Sequence, residues 1–285
     1  MKEIISRAVN IYQLTELIAI YEKPDRAVYS ADSAIFGPVI LKASKYMQLK
    51  EEYDMLRQLK GNGCCKVYAY DEQNGILLEE RLIPGTVLRE EVDLNRRILV
   101  LKDVFYKIHT TYKSHGDTDG SSRKTYLDWL TDVKVFFKEN DIDHVMAENV
   151  NRANEICKDI FQKYPERMLL HGDLHHDNIL QCADSMYAMI DPKGVIGPEI
   201  LDLPRFIMNE LDTKHNCTDE EHMIRVVQFV SETFKYPILD IAKVYFMEVI
   251  LGNAWCMEDG DAINETEIAI AEKILNDIKK LHPEI

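Results

Sequence analysis

The stretch from Leu169 to Phe206 constrains this chain more than any other. It reads LLHGDLHHDNIL, a short polar break QCADS, MYAMIDPKGVIG, then PEILDLPRF. Two apolar runs, 178–181 and 186–190, flank the turn-like Ala183-Asp184-Ser185, which is the pattern of a hairpin of short buried strands. Antiparallel pairing sets the start of the first strand beside the finish of the second, so Asn178 and Asp191 come to the same end. Two hard oxygen donors converging there suit Mg2+, and Asp173 sits on the loop leading in. Each residue alone fits a cap or turn, because Asp and Asn side chains bond nearby backbone. The joint pattern goes further: His-Gly-Asp, an Asn beyond it, strand–turn–strand, then Ile-Asp supply a base, two metal ligands and the scaffold joining them.

Length and charge bound what such a hairpin can belong to. A chain of 285 residues can bury a full core and is expected to form two packed lobes. Its net charge of −15 argues against a nucleic-acid binder, which needs a basic footprint, and is compatible with a cationic substrate. The six cysteines show no CxxC spacing and no secreted-style framework, so reduced thiols and a cytoplasmic setting are expected. The first residues, MKEIISRAVNIYQL, are charged throughout and do not read as a signal peptide. No run reaches the roughly 18 apolar residues of a membrane span, so no membrane partner is expected.

Before the hairpin, residues 4–20 have helical spacing that turns strand-like toward Leu17-Ile-Ala-Ile, and Pro24-Asp25 signals a turn. Strands are expected at 27–30, 34–36 and 39–42, a helix over 45–60 with Met47, Leu49, Tyr53, Leu56 and Leu59 on one face and Gly61 stopping it, then strands at 66–70 and 75–79. Ile83-Pro-Gly-Thr is the best linker. Beyond it the periodicity is helical over 90–113, 125–140, 145–164, 219–234, 240–255 and 265–281, with a loose acidic loop over 114–122. The expected fold class is therefore α+β: a small antiparallel-sheet lobe, 1–82, that binds nucleotide, and a larger helical lobe, 83–285, that carries catalysis and the substrate site. Lys42 ends a strand and Glu51-Glu52 follow on the next helix, an arrangement that suits a phosphate-binding ammonium steadied by a carboxylate.

Together these residues resemble the protein-kinase-like aminoglycoside phosphotransferases. HGDLHHDN matches the kinase catalytic-loop pattern, and Asp191 takes the place of the metal-binding Asp of Asp-Phe-Gly. LHGDLHHDNI, IDPKGVIGPEILD and GNAWCMEDG look like the aminoglycoside/hydroxyurea resistance branch, which includes the streptomycin 6-phosphotransferases. The resemblance implies a two-lobed kinase-like fold and an ATP- or GTP-dependent, Mg2+-requiring transfer of phosphate to an alcohol. Asp173 is then the catalytic base, and Asn178 and Asp191 hold the metal. Lys42, steadied by Glu52 with Glu51 as competitor, contacts the phosphates, and Glu79, Glu80 and Leu82 belong to the hinge that reads adenine. His171 is a structural residue of the catalytic loop, and Asp202 braces that loop through backbone N–H groups. No Gly-x-Gly-x-x-Gly precedes Lys42, so the phosphate-covering turn must lie near 26–32. Asp-Pro-Lys-Gly stands for Asp-Phe-Gly, leaving Lys193 either a second cation near the phosphates or an exposed charge.

The implied acceptor is a polycationic, streptomycin-like aminoglycoside, met by an acidic pocket drawn from Asp117, Asp119, Glu199, Glu258, Asp259 and Asp261, with Trp255 as a flat surface. The MEDGD cluster after Trp255 is the preferred candidate. A metabolic kinase for a sugar, thioribose or choline-like substrate shares the same catalytic residues and is the alternative. A catalytically dead binding module has no need of a base, and a protein kinase would need a longer segment between Asp191 and Pro198-Glu199. Zinc at His171, His175 and His176 is set aside, because a loop does not stack that spacing on one face.

Overall fold

The structure is a computed structural model that describes residues 1–45, 49–115, 123–140 and 144–281. Its elements run α1 (Lys2–Tyr12), β1 (Leu14–Glu22), β2 (Arg26–Ser33), β3 (Gly37–Ser44), α2 (Lys50–Leu59), β4 (Val67–Asp71) and β5 (Ile76–Glu80). There follow α3 (Leu94–His115), α4 (Tyr126–Glu139), α5 (His144–Lys163), β6 (Met168–Leu170), β7 (Ile179–Ala183), β8 (Met186–Met189) and β9 (Val195–Gly197). The chain closes with α6 (Pro204–Asn209), α7 (Asp219–Phe234), α8 (Ile238–Asp259) and α9 (Glu265–Leu281). Two compact units result. One comprises residues 1–88, 103–116 and 177–194, the other 89–102, 117–176 and 195–285.

The first unit is built on an antiparallel sheet of order β1-β2-β3-β5-β4. Side chains alternate across a strand, and here the alternation sorts apolar from ionic. Leu41 pairs with Leu78, and both lie in the core with Val39, Ile76 and Ala8, under α1. The next residues along face the other way: Lys42 opposite Leu77, and Glu79 opposite Ile40. Lys42 and Glu79 are thus diagonal neighbours on the face that α2 approaches.

The periodic segments match the expected elements closely, and the departures have local causes. The first helix ends at Tyr12, because Gln13 takes a left-handed conformation at φ 51°, and the β-branched stretch after it becomes β1. Residues 34–36 form a turn rather than a strand: the Ser33 hydroxyl accepts the N–H groups of Ile35 and Phe36, and Gly37 follows at φ 79°. Lys60 at φ 53° caps α2, and Gly61 follows it at φ 81°. Residues 26–32 lie within β2, so the tip between β1 and β2 is 23–25, closed by Lys23 N–H on Arg26 O at 2.8 Å. Met47, Asp117, Asp119 and most of the 114–122 loop lie outside the described residues; Ser114 and His115 continue α3.

The hairpin β7–β8 belongs to the first unit. Ile179 pairs with Met189, Ser185 takes φ 59° in the turn, and Ile190 N–H reaches Asn178 O at 3.0 Å. Backbone bonds stitch it to earlier chain: Met189 to Gly63 and Cys65, and Gln181 to Gly85 and Thr86.

The second unit surrounds α8, which is buried from Leu239 to Leu251 and is met by α4, α5, α6, α7 and α9. A helix apolar on all sides is a central one, which makes its buried Asp240, Lys243 and Glu248 informative. The short ribbon β6–β9 pairs Leu169 with Ile196. Among the described residues no helix is long and apolar enough to cross a membrane.

Candidate active site

In the first unit, Lys42 is 8% exposed and surrounded by carboxylates. Its ammonium donates to Glu52 and lies 3.2 Å from Asp191 and 3.3 Å from Glu79. Burial works against that charge, but Glu79, Glu52 and Asp191 outweigh it and lift the Lys42 pKa well above the usual value. Asp191 adopts φ 60°, an uncommon backbone for a residue other than glycine, and the kind of strain that gathers at functional sites. Burial opposes its charge too, yet Lys42 and Lys193, the latter at 2.8 Å, hold its carboxyl below the ordinary carboxylate range. Gly194 then turns the chain at φ 66°, where a Cβ would meet Glu51 O at 3.0 Å. Glu51 itself is exposed, and it is Glu52 that faces Lys42.

A cavity of about 590 Å³ adjoins these groups, lined among others by Tyr21, Arg26, Lys42, Glu52, Asp191 and Lys193. It is the right size for a small ligand, and its lining sets three cations, Arg26, Lys42 and Lys193, beside three carboxylates, Glu51, Glu52 and Asp191. The Glu79 carboxylate is turned into the Lys42 cluster, while Glu80 binds Lys66 through its N–H and side chain. The amides of Glu80 and Arg81 donate to Lys66 O and Pro38 O, and Leu82 follows, 8% exposed.

Burial and the nearby Glu79 push Glu52 up to about 8, against an ordinary 4.5. Between those values the folded protein keeps a proton that the unfolded chain has released, so stability falls as pH rises through that window. Glu52→Gln keeps the shape and removes the titration. The wild type should therefore lose on the order of 2 kcal/mol more than Glu52→Gln between pH 5 and 8, read from urea midpoints at several pH values. Parallel pH profiles for the two proteins would contradict this.

In the second unit, the loop carrying Asp173 is held by main-chain bonds. Asp202, 1% exposed, accepts the N–H groups of His171 at 2.9 Å and Gly172 at 2.8 Å, and His171 Nδ1 accepts that of Asp173 at 3.1 Å. Bonds to a charged carboxylate are the stronger kind. His176 stacks on Phe206 and binds Glu210 at 2.8 Å, and Glu210 in turn takes a two-pronged bond from Arg97 at 2.9 and 2.6 Å. Burial resists the charge on Glu210, but Arg97, His176 and His222 hold its carboxyl well below the usual range.

The Asp173 carboxylate lies 3.4 Å from Arg205 and 3.7 Å from His175. Arg205 is fixed by Glu248 at 2.7 Å, and Glu248 also accepts from Tyr126. Burial disfavours the Arg205 cation, but Glu248, Tyr126 and Asp173 raise its pKa overall. The motif reading did not include Arg205, Glu248, Tyr126 or the Arg97–Glu210 pair. One signal was present: Glu248 is an acid inside the apolar run Phe246–Leu251, and a buried acid implies a buried partner.

The acceptor candidates fall in different settings. Glu199 accepts from Tyr236 at 3.0 Å. Trp255 packs edge-on to Trp129 at 5.5 Å and lies under the Arg205 guanidinium at 5.5 Å, which links it to the Asp173 cluster. Glu258 and Asp259 end α8, where acids oppose the helix dipole; burial and the nearby Asp259 raise the Glu258 pKa. Gly260 caps that helix at φ 82°, and Asp261 N–H bonds Cys256 O at 2.7 Å, so the MEDGD turn has a structural role through its backbone and leaves its carboxylates exposed.

A family model for aminoglycoside/hydroxyurea antibiotic resistance kinases matches residues 28–260. Streptomycin 6-kinase of Streptomyces griseus is 22% identical over 95% of this chain and 88% of its own length. Methylthioribose kinase of Bacillus cereus (strain G9842) is 28% identical over 78% of the chain, which covers 53% of that enzyme. Among solved structures, amicoumacin kinase hAmiN in complex with AMP-PNP, Ca2+ and Ami superposes with a TM-score of 0.71 at 17% identity, over 99% of this chain and 94% of that one. The antiparallel sheet, the helical second unit and the match from residue 28 to 260 lead to one conclusion: the chain has a kinase-like fold and belongs to the aminoglycoside/hydroxyurea antibiotic resistance kinase family.

Proposed function

We propose that this protein transfers the terminal phosphoryl group of ATP or GTP to a hydroxyl of a small cationic antibiotic, an aminoglycoside of the streptomycin type. The observation that carries the reading is the Lys42 ammonium held among Glu52, Glu79 and Asp191 beside a cavity with two further cations, Arg26 and Lys193. In this reading residues 1–82 hold the nucleotide and 83–285 supply catalysis and acceptor binding. Lys42 meets the phosphates, Lys193 adds a second cation, and the backbone from Glu79 through Glu80 to Leu82 reads the adenine edge. With the Glu80 and Arg81 amides committed to the sheet, Leu82 N–H is the donor.

The donor set fits Mg2+. The Asn178 amide and the Asp191 carboxylate are hard oxygen ligands, and Asp191 is held in the ionised form that metal binding requires. When bound, the ion neutralises charge on the phosphates. Asp173 takes the proton from the acceptor hydroxyl as its oxygen bonds to the terminal phosphorus and the nucleoside diphosphate leaves. Arg205 keeps the Asp173 carboxylate in place. Asp202 and His171 set the loop, and Glu199, Trp255, Glu258, Asp259 and Asp261 are the candidates for acceptor contacts, Trp255 foremost for its link to Arg205. The buried, high-pKa thiols of Cys64, Cys65 and Cys157 accord with a cytoplasmic enzyme.

The second reading keeps the chemistry and changes the acceptor to a metabolite such as a thioribose; the similarity to methylthioribose kinase favours it. A coupled assay of nucleoside diphosphate release decides between them, run with aminoglycosides, hydroxyurea, thiosugars and choline, and with ATP or GTP. Turnover with streptomycin-like acceptors is the expected result. Turnover with a metabolite and none with streptomycin would replace the first reading by the second.

A further inference from the structure

The second unit also gathers three metal-ligand side chains that phosphoryl transfer does not use. His215, Cys217 and His222 each offer a ligand atom, and these atoms lie within 4.8 Å of one another. They come from the short run HNCTDEEH. His215 and Cys217 lie on the connection before α7, and His222 lies in the helix's first turns. Local chemistry fixes that junction. The Thr218 hydroxyl accepts Glu221 N–H at 3.3 Å, and the Glu221 carboxylate accepts Thr218 N–H at 3.2 Å. This reciprocal cap sets where Cys217 enters and where His222 leaves. The two imidazoles lie parallel, with centroids 4.2 Å apart and planes 9° from each other.

Two imidazoles and a thiol form the borderline nitrogen–sulfur set that Zn2+ prefers, with bonds of about 2.0–2.3 Å. Tetrahedral ligands at those lengths stand roughly 3.3–3.8 Å apart, so closure onto one ion asks for shifts on the order of 1 Å together with a turn of the stacked rings toward each other. The outer groups are in place as well. Cys217 O lies 3.0 Å from His215 Nδ1 and the Glu210 carboxylate 3.4 Å from His222 Nε2, while Asp219 stands 3.4 Å from His215 Nε2, on the side left for the ion. Carboxylates behind ligating imidazoles orient the rings and fix their tautomers. His222 is buried, whereas His215 and Cys217 are partly exposed, which gives an ion a way in.

We infer that His215, Cys217 and His222 form a zinc site, with Asp219 or water in the fourth position. The ion pins the connection before α7 to the helix itself. Through Glu210 it also bears on the carboxylate that holds Arg97 and His176, so its effect is on stability rather than on the transferred phosphate.

Chelator-stripped protein is titrated with ZnCl2 and followed by native mass spectrometry and thermal unfolding, with Co2+ as a spectroscopic substitute. One ion per chain is expected, with a melting-temperature rise of about 5 °C at a hundredfold excess over Kd. The cobalt form should show a thiolate charge-transfer band. Cys217→Ser is nearly isosteric and partly exposed, so it keeps the fold. It should abolish that band and weaken zinc binding by more than the 10–100-fold typical of losing an outer partner. His215→Gln should weaken binding similarly, whereas Cys256→Ser should leave it unchanged. Failure to take up zinc, or undiminished uptake by Cys217→Ser, would overturn the inference.

Discussion

Asp173→Ala should lower turnover by about 10²–10⁴-fold, the usual contribution of a positioned general base, while nucleotide affinity changes less than about threefold. The surroundings of Asp173 make this a clean substitution. The loop backbone is held by Asp202 and by His171 Nδ1, neither of which depends on the Asp173 side chain. Arg205 loses one carboxylate but keeps Glu248 at 2.7 Å, so no buried cation is left alone. The groups that meet nucleotide in the proposed reading are other residues entirely. Asp173→Asn sharpens the test, because it preserves shape and removes only the ability to accept the proton; its loss should match that of the alanine variant. Steady-state diphosphate release gives the rate, and calorimetric titration with a non-hydrolysable nucleotide gives the affinity. Turnover retained within tenfold in either variant would remove Asp173 from the role of base.

Asp191→Ala should weaken Mg2+-dependent nucleotide binding by at least about a hundredfold, since a metal ion contributes several kcal/mol of charge stabilisation. Binding measured with a chelator present should change far less. The two conditions together separate a metal ligand from a residue that only shapes the site. Asp191→Asn is the companion variant. Asparagine tolerates the left-handed backbone at φ 60° but carries no charge, so its defect should appear in the metal-dependent arm. Alanine adds a strain of about 1 kcal/mol at that position, visible as reduced stability without ligand. Equal nucleotide affinity with and without the substitution in Mg2+ would sink the metal assignment.

Much of the fold was legible because period and burial coincide. The strands at 66–70 and 75–79 and the helices near 125–140, 145–164, 219–234 and 265–281 are amphipathic or apolar over enough residues for the spacing to show, and they stand within a residue or two of the observed elements. The ribbon β6–β9 was not legible, since strands of three residues have no measurable period. Ala34-Ile-Phe misled for a related reason: three apolar residues resemble a strand, but the Ser33 hydroxyl commits them to a turn.

Among the candidate residues, local motifs singled out Asp173, Asn178 and Asp191. What they could not carry was long-range pairing. Glu79 reads as part of a hinge until the alternation of β5 turns its carboxylate toward Lys42. Arg205, Glu248 and Tyr126 meet across 43 to 122 positions of chain and belong to no motif. His215, Cys217 and His222 escaped because their irregular spacing joins a loop to a helix, matching neither a CxxC nor a paired-histidine pattern.

The stitching of β7–β8 to the earlier chain has a consequence for synthesis on the ribosome. The first compact unit draws on residues 1–88, then 103–116 and again 177–194, and the main-chain groups of Gly63, Cys65, Gly85 and Thr86 find their partners in the last of these segments. The first unit therefore emerges with its sheet complete but waits roughly a hundred residues for the β7–β8 ribbon, ~5–20 s at ordinary elongation rates. A fragment ending at residue 116 should need residues 177–194 supplied in trans before it resists proteolysis.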